Sequence, residues 1–237
     1  MTRFRSKMME YYRRVLLASE NEEEEVPEVI EYPDEVYIDK MQRILGSFPN
    51  IGVPPEPTKI RPNVYLGTSA NAENLHLLKR TGIQYLLNCA GSGNVYQFRR
   101  YKEMYTVESG INGYQELLID DSESTNIRTF FERAHAFIDY ARGRGANVLV
   151  YCHGASRSGA IILSYMIRQR MPLLAATREL KDKRRVVLTN DAFIKQLVGY
   201  ARENDMLDVN ISTVYAPRFG RKLDKHRLQR AHLPIFF

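Results

Sequence analysis

The sequence predicts an α/β domain, and three observations predict it. Short apolar runs, Tyr85 to Leu87 and Val148 to Val150, alternate with segments of helical period. The clearest of those segments places Ile127, Phe130, Phe131, Ala134, Phe137, Ile138 and Ala141 on one wide apolar face that must lie against a sheet. Finally, the polar run CHGASRSG, starting at Cys152, joins an apolar strand to a helix.

With 237 residues, 44% of them hydrophobic, the chain can bury one substantial core, so one domain with tails is the economical organisation. A formal charge of +6 suits an anionic partner but bears on association and solubility, not on fold. Cys89 and Cys152 are the only cysteines, too few for a disulfide framework, which fits a reducing compartment, cytosolic or nuclear. No run of about eighteen apolar residues occurs, so neither a membrane span nor a signal peptide is expected.

Residues Met8 to Leu17 could form a short amphipathic helix, but the acidic run Glu22 to Glu25 repels itself. The first thirty residues of the N-terminal extension, residues 1–57, are therefore expected to be poorly ordered. Helical spacing returns from Glu35 to Leu45, and Pro49, Pro54, Pro55 and Pro57 then impose an extended connector. The compact domain is expected over residues 58–204, beginning near Thr58.

Asn63 to Leu66 reads as a strand, and Ala72 to Arg80 as a helix that Gly82 stops. Tyr85 to Leu87 is a buried strand. A looser region from Gly91 to Gly113 leads to a strand over Gln115 to Ile119, which ends at the acidic pair Asp120 and Asp121. After the long helix, closed by Gly143 and Gly145, come Val148 to Val150 and the polar loop, then a helix with Ile161, Ile162, Tyr165 and Met166. Two more helices are predicted, Leu173 to Arg184 after Pro172, and Asp191 to Glu203 capped by Thr189 or Asn190. From Pro217 onward, within a tail spanning 205–237, six basic residues face Asp224 alone. Such a tail is usually a solvated terminus.

A helix N-terminus presents unpaired N–H groups and partial positive charge, so the loop entering it is suited to an anion. His153, Gly154, Ala155 and Ser156, with Arg157, are the phosphate-binding candidates, Gly154 allowing close backbone approach. Cys152 in that field favours its thiolate and is the candidate nucleophile. Arg157 can fork two donors onto phosphate oxygens. Ser158 could assist the departing thiolate, and Asp121, with Asp120 in reserve, could protonate a leaving oxygen. Cys89 reads as core packing and His153 as a solvent-facing side chain. The five histidines and two cysteines have no metal-ligand spacing, so no cofactor is expected.

From Thr58 to Asn204 the chain resembles the dual-specificity branch of the protein tyrosine phosphatases. The residues that carry the resemblance are NVYLG from Asn63, LLNCAG from Leu86, IDDSESTNIRTFFERAHAFID from Ile119, SRS from Ser156 and NDAFIKQL from Asn190. The resemblance implies a central mixed sheet flanked by helices, a cysteine nucleophile at Cys152, Arg157 as phosphate clamp and Asp121 as acid. It also implies phosphorylated proteins as partners, a protein kinase among them; nucleic acid is not expected, since no aromatic-rich binding motif is present.

The family loop holds five residues between cysteine and arginine, where this chain has four, His153 to Ser156. Two registers are open. One keeps Cys152 in place with a shortened loop; the other restores the spacing and puts Tyr151 at the cysteine position, where a phenol of pKa about 10 is a poor nucleophile. In neither does the family's histidine precede the cysteine. A misplacement of about 1 Å can cost a hundredfold in rate. The short loop thus points to a pseudophosphatase, similar to the serine/threonine/tyrosine-interacting proteins, with an active phosphatase as the alternative.

Overall fold

Residues 32–47, 52 and 54–209 are described by the computed structural model. The helix expected over 8–17, the acidic run and the basic tail from 217 lie outside the described residues.

Five strands form one sheet: β1 (Thr58–Arg61), β2 (Val64–Thr68), β3 (Ile83–Asn88), β4 (Gly113–Glu116) and β5 (Asn147–Cys152), in the order β1-β2-β5-β3-β4. β1 runs antiparallel to β2, and the other pairings are parallel, so the sheet is mixed. The β1–β2 turn uses Asn63 at φ 65°, a left-handed conformation that asparagine tolerates. β5 is central, its residues Val148 and Val150 wholly buried. Near-continuous burial along β3 and β5 is what parallel strands covered on both faces require.

The helices among the described residues are α1 (Asp34–Leu45), α2 (Ser69–Glu73), α3 (Leu75–Thr81), α4 (Val95–Met104), α5 (Phe131–Gly143), α6 (Ser156–Arg168), α7 (Leu173–Lys183) and α8 (Asp191–Glu203). The expected helix over 72–80 is divided at Asn74, whose side chain accepts from Leu77 N at 3.0 Å and so caps α3. Helix α4 falls in the region read as loose; Asn94 caps it, accepting from Tyr96 N and Gln97 N. The strand expected over 115–119 is β4, shifted to 113–116. The long amphipathic pattern opens with a 3-10 turn, Ile127–Phe130, before α5.

Helix α6 is buried along nearly its whole length and lies between β5 and helices α5, α7 and α8. Helix α1 buries Tyr37, Met41 and Ile44, spaced four and three apart, against α7 and α8. The Tyr37 hydroxyl donates to Asp208 O at 3.0 Å, and Arg202 pairs with Asp34 at 2.6 Å. The packed core therefore reaches N-terminal of Thr58, where the compact domain was expected to begin.

The parallel strands β2, β5 and β3 all end at one edge of the sheet. From that edge leave Ser69, the loop after Cys152, and Cys89. Chemistry collects at such carboxyl ends because loops there are free to converge.

Candidate active site

β5 decides which of the two registers the fold uses. Successive side chains alternate across a strand, so Val148, Val150 and Cys152 join one hydrophobic cluster while Leu149 and Tyr151 join the other. Cys152 faces helix α6, and its sulfur lies 3.1 Å from the Ser158 hydroxyl. Tyr151 points to the opposite side, where its hydroxyl is buried without a hydrogen-bond partner and burial pushes its ionisation far up. The residue at the loop is Cys152, and the loop is short.

Only His153, Gly154 and Ala155 separate β5 from α6. Cys152 is 1% exposed, so the sulfur sits at the floor of the loop. Ala155 O accepts from Gly159 N at 3.2 Å and from Leu188 N at 3.1 Å. The Ser156 hydroxyl accepts from Asn190 N at 3.2 Å. His153 is exposed, and its Nδ1 lies 2.9 Å from the Ser69 hydroxyl. A Cβ at Gly154 would meet nothing within 4 Å, whereas Gly159 is a tight position, with Val187 Cγ2 2.6 Å from a Cβ.

Arg157 and Asp121 meet across the loop. Arg157 Nη1 donates to Ile119 O at 3.1 Å, and its Nε lies 3.7 Å from Asp121 Oδ2. That nitrogen is buried and makes no hydrogen bond. Asp121 also accepts from Asn190 Nδ2 at 3.2 Å. Asp120 is exposed and takes no part in these contacts. The loop thus brings Cys152 to Ser158 and Arg157 to Asp121. Cys89 is fully buried and its thiol is pushed up, first by burial and then by Cys152.

A family model described as dual specificity phosphatase, catalytic domain, matches residues 64–203. The chain belongs to that family. Protein phosphatase Slingshot homolog of Xenopus laevis is 32% identical over 146 residues, covering 61% of this chain and 20% of its own length. The chain therefore spans about a fifth of that relative. Dual specificity protein phosphatase 1 of Arabidopsis thaliana is 30% identical over 154 residues, covering 64% of this chain and 72% of its own. Among solved structures, the human tyrosine phosphatase-like serine/threonine/tyrosine-interacting protein matches with a TM-score of 0.52 and 25% identity, over 63% of this chain and 98% of its own.

Sequence reasoning missed Asn190 as more than a helix cap. In this dual specificity phosphatase domain its side chain caps α8 by accepting from Ala192 N, and also donates to Asp121, while its backbone N–H holds Ser156. One residue thus ties the acidic loop, the cysteine loop and α8 together. Its place in NDAFIKQL was the available signal. Ser69 and Arg184 had none, because their contacts are made across 84 residues to His153 and 118 residues to Leu66. Among the described residues no cluster of histidine, cysteine or carboxylate side chains could hold a metal ion, and no helix is long and apolar enough to cross a membrane.

Proposed function

We propose that this domain recognises phosphorylated tyrosine, serine or threonine side chains of partner proteins and hydrolyses them poorly or not at all. The observation that carries the reading is the shortened loop: Cys152, 1% exposed, is separated from Arg157 by four residues. Each loop residue contributes one N–H and up to about 3.5 Å of chain. Removing one subtracts a donor from the anion cradle and shifts the sulfur relative to the guanidinium, and attack on phosphorus needs both in register.

Binding tolerates this loss better than catalysis. The first turn of α6 still offers its N–H groups, and Arg157 retains an unbonded, buried Nε. Phosphorylated proteins are the natural partners of such a site, a protein kinase carrying a phosphorylated segment among them. Two free cysteines suit a cytosolic or nuclear setting.

The retained trio of Cys152, Arg157 and Asp121 supports a second reading, an active phosphatase. There Cys152 attacks phosphorus, Asp121 gives its proton to the leaving oxygen, and water then hydrolyses the phosphocysteine. Binding is tested by thermal shift with orthovanadate and with inorganic phosphate. The proposal expects stabilisation of the wild type and none of Arg157→Ala; no stabilisation of the wild type sinks the recognition reading.

A further inference from the structure

Arg184 is 0% exposed and among the largest fully buried side chains of the protein. It follows helix α7 directly, and its Nη1 donates to Thr58 Oγ1 at 3.0 Å and to Leu66 O at 3.2 Å. Its Nε and Nη2 are buried and make no hydrogen bond, and no carboxylate pairs with it among the described residues. A guanidinium taken out of water without a counter-charge is costly and persists only where something compensates it.

Arg184 is anchored beside the strand that carries Cys152. Leu66, to which it is anchored, is the register partner of Val150, and Thr68 that of Cys152. The segment that Arg184 opens then underpins the cysteine loop: Val187 packs on Gly159, Leu188 N bonds Ala155 O and Asn190 N bonds Ser156. Burial lowers the affinity of Arg184 for its proton, and negative charge at Cys152 would act in the opposite direction.

We propose that Arg184 is a positioning residue of the anion site, a buried cation fixed in the core whose field favours negative charge at Cys152. Arg157 reaches the same site from the side of Asp121. The inference rests on the assignment of Cys152 to the floor of the site and adds a second cation to it. Arg184 touches no substrate in this arrangement; it acts through the sulfur.

The test measures melting of the full chain near neutral pH without added anion, comparing Cys152→Asp with its uncharged isostere Cys152→Asn. A fixed negative charge at 152 raises the melting temperature by about 3–5 °C over the amide, and the gap persists in an Arg157→Ala background. With Arg184→Met the gap closes, and with Arg184→Lys most of it returns. Equal melting of the two Cys152 variants, or a gap that Arg157→Ala abolishes, overturns the proposal, and both can be read even if Arg184→Met fails to fold. A gap in a protein that orthovanadate does not stabilise keeps this inference and sinks the recognition reading alone.

Discussion

Arg157 Nε and Asp121 Oδ2 stand 3.7 Å apart at the mouth of the cysteine loop. A carboxylate there neutralises the guanidinium that a phosphate would need, and the two anions compete for it. Asp121 is about a third exposed, at 37% of its side chain, so solvent weakens the competition. Asp121→Asn should tighten orthovanadate binding about two- to tenfold, measured by calorimetry or thermal shift. Unchanged or weaker binding would mean that the carboxylate does not guard the site.

Gly159, in the first turn of α6, carries the packing between that helix and the segment after α7. A Cβ at 159 would lie 2.6 Å from Val187 Cγ2 and 3.3 Å from Leu188 N. Valine is stiff and the second neighbour is backbone, so neither yields easily. Gly159→Ala should destabilise the protein by about 1–3 kcal/mol in urea denaturation, and weaken anion binding as the Leu188–Ala155 bond shifts. Wild-type stability in this variant would contradict the packing account.

His135 in α5 is buried, with Nε2 2.9 Å from the Ser164 hydroxyl. Ser164 donates its own proton to Ile161 O, so the histidine is the donor in that bond. Burial, with Arg168 adding to it, lowers the His135 pKa from 6.5 to about 4. The unfolded chain therefore binds a proton where the folded one does not. This stability is fully present above about pH 6.5 and is lost as pH falls toward about 4, with about 2 kcal/mol gone by about pH 5. His135→Gln, which keeps a donor and does not titrate, should flatten that part of the pH–stability curve in urea titrations. An unchanged slope would place the acid sensitivity elsewhere.

The fold was legible wherever local pattern and tertiary role agree. Val148 to Val150, the Phe131 to Ala141 face and the helix from Asp191 to Glu203 are all found where periodicity puts them. Asn74 broke the expected helix because its side chain offers Leu77 N a better partner than a continuing turn does. Helix α4 escaped because its polar sequence, VYQFRRYKEM, buries little, Tyr101 being its main anchor at 2% exposure. The side chains around Cys152 were legible as a linear motif. Which of Tyr151 and Cys152 faces α6 was not, since strand parity is fixed by pairing of Thr68 with Cys152, two segments 84 positions apart.

Restoring the family spacing gives a gain-of-function test. Insertion of one alanine between His153 and Gly154 returns five residues to the interval between Cys152 and Arg157. Cysteine-dependent hydrolysis of an aryl phosphate should then rise at least about a hundredfold above the wild-type background. An insertion variant that folds, binds orthovanadate and still does not turn over would show that the loop length is not what limits catalysis.

The most direct measurement is hydrolysis of an aryl phosphate by the wild type beside Cys152→Ser, at protein concentrations where orthovanadate stabilises the wild type. The account predicts that the wild-type rate exceeds that of Cys152→Ser little or not at all while the anion still binds. A wild-type rate that clearly exceeds that of Cys152→Ser, and that thiol alkylation abolishes, would contradict it: the four-residue loop would then close around phosphate, and the protein would be a working phosphatase.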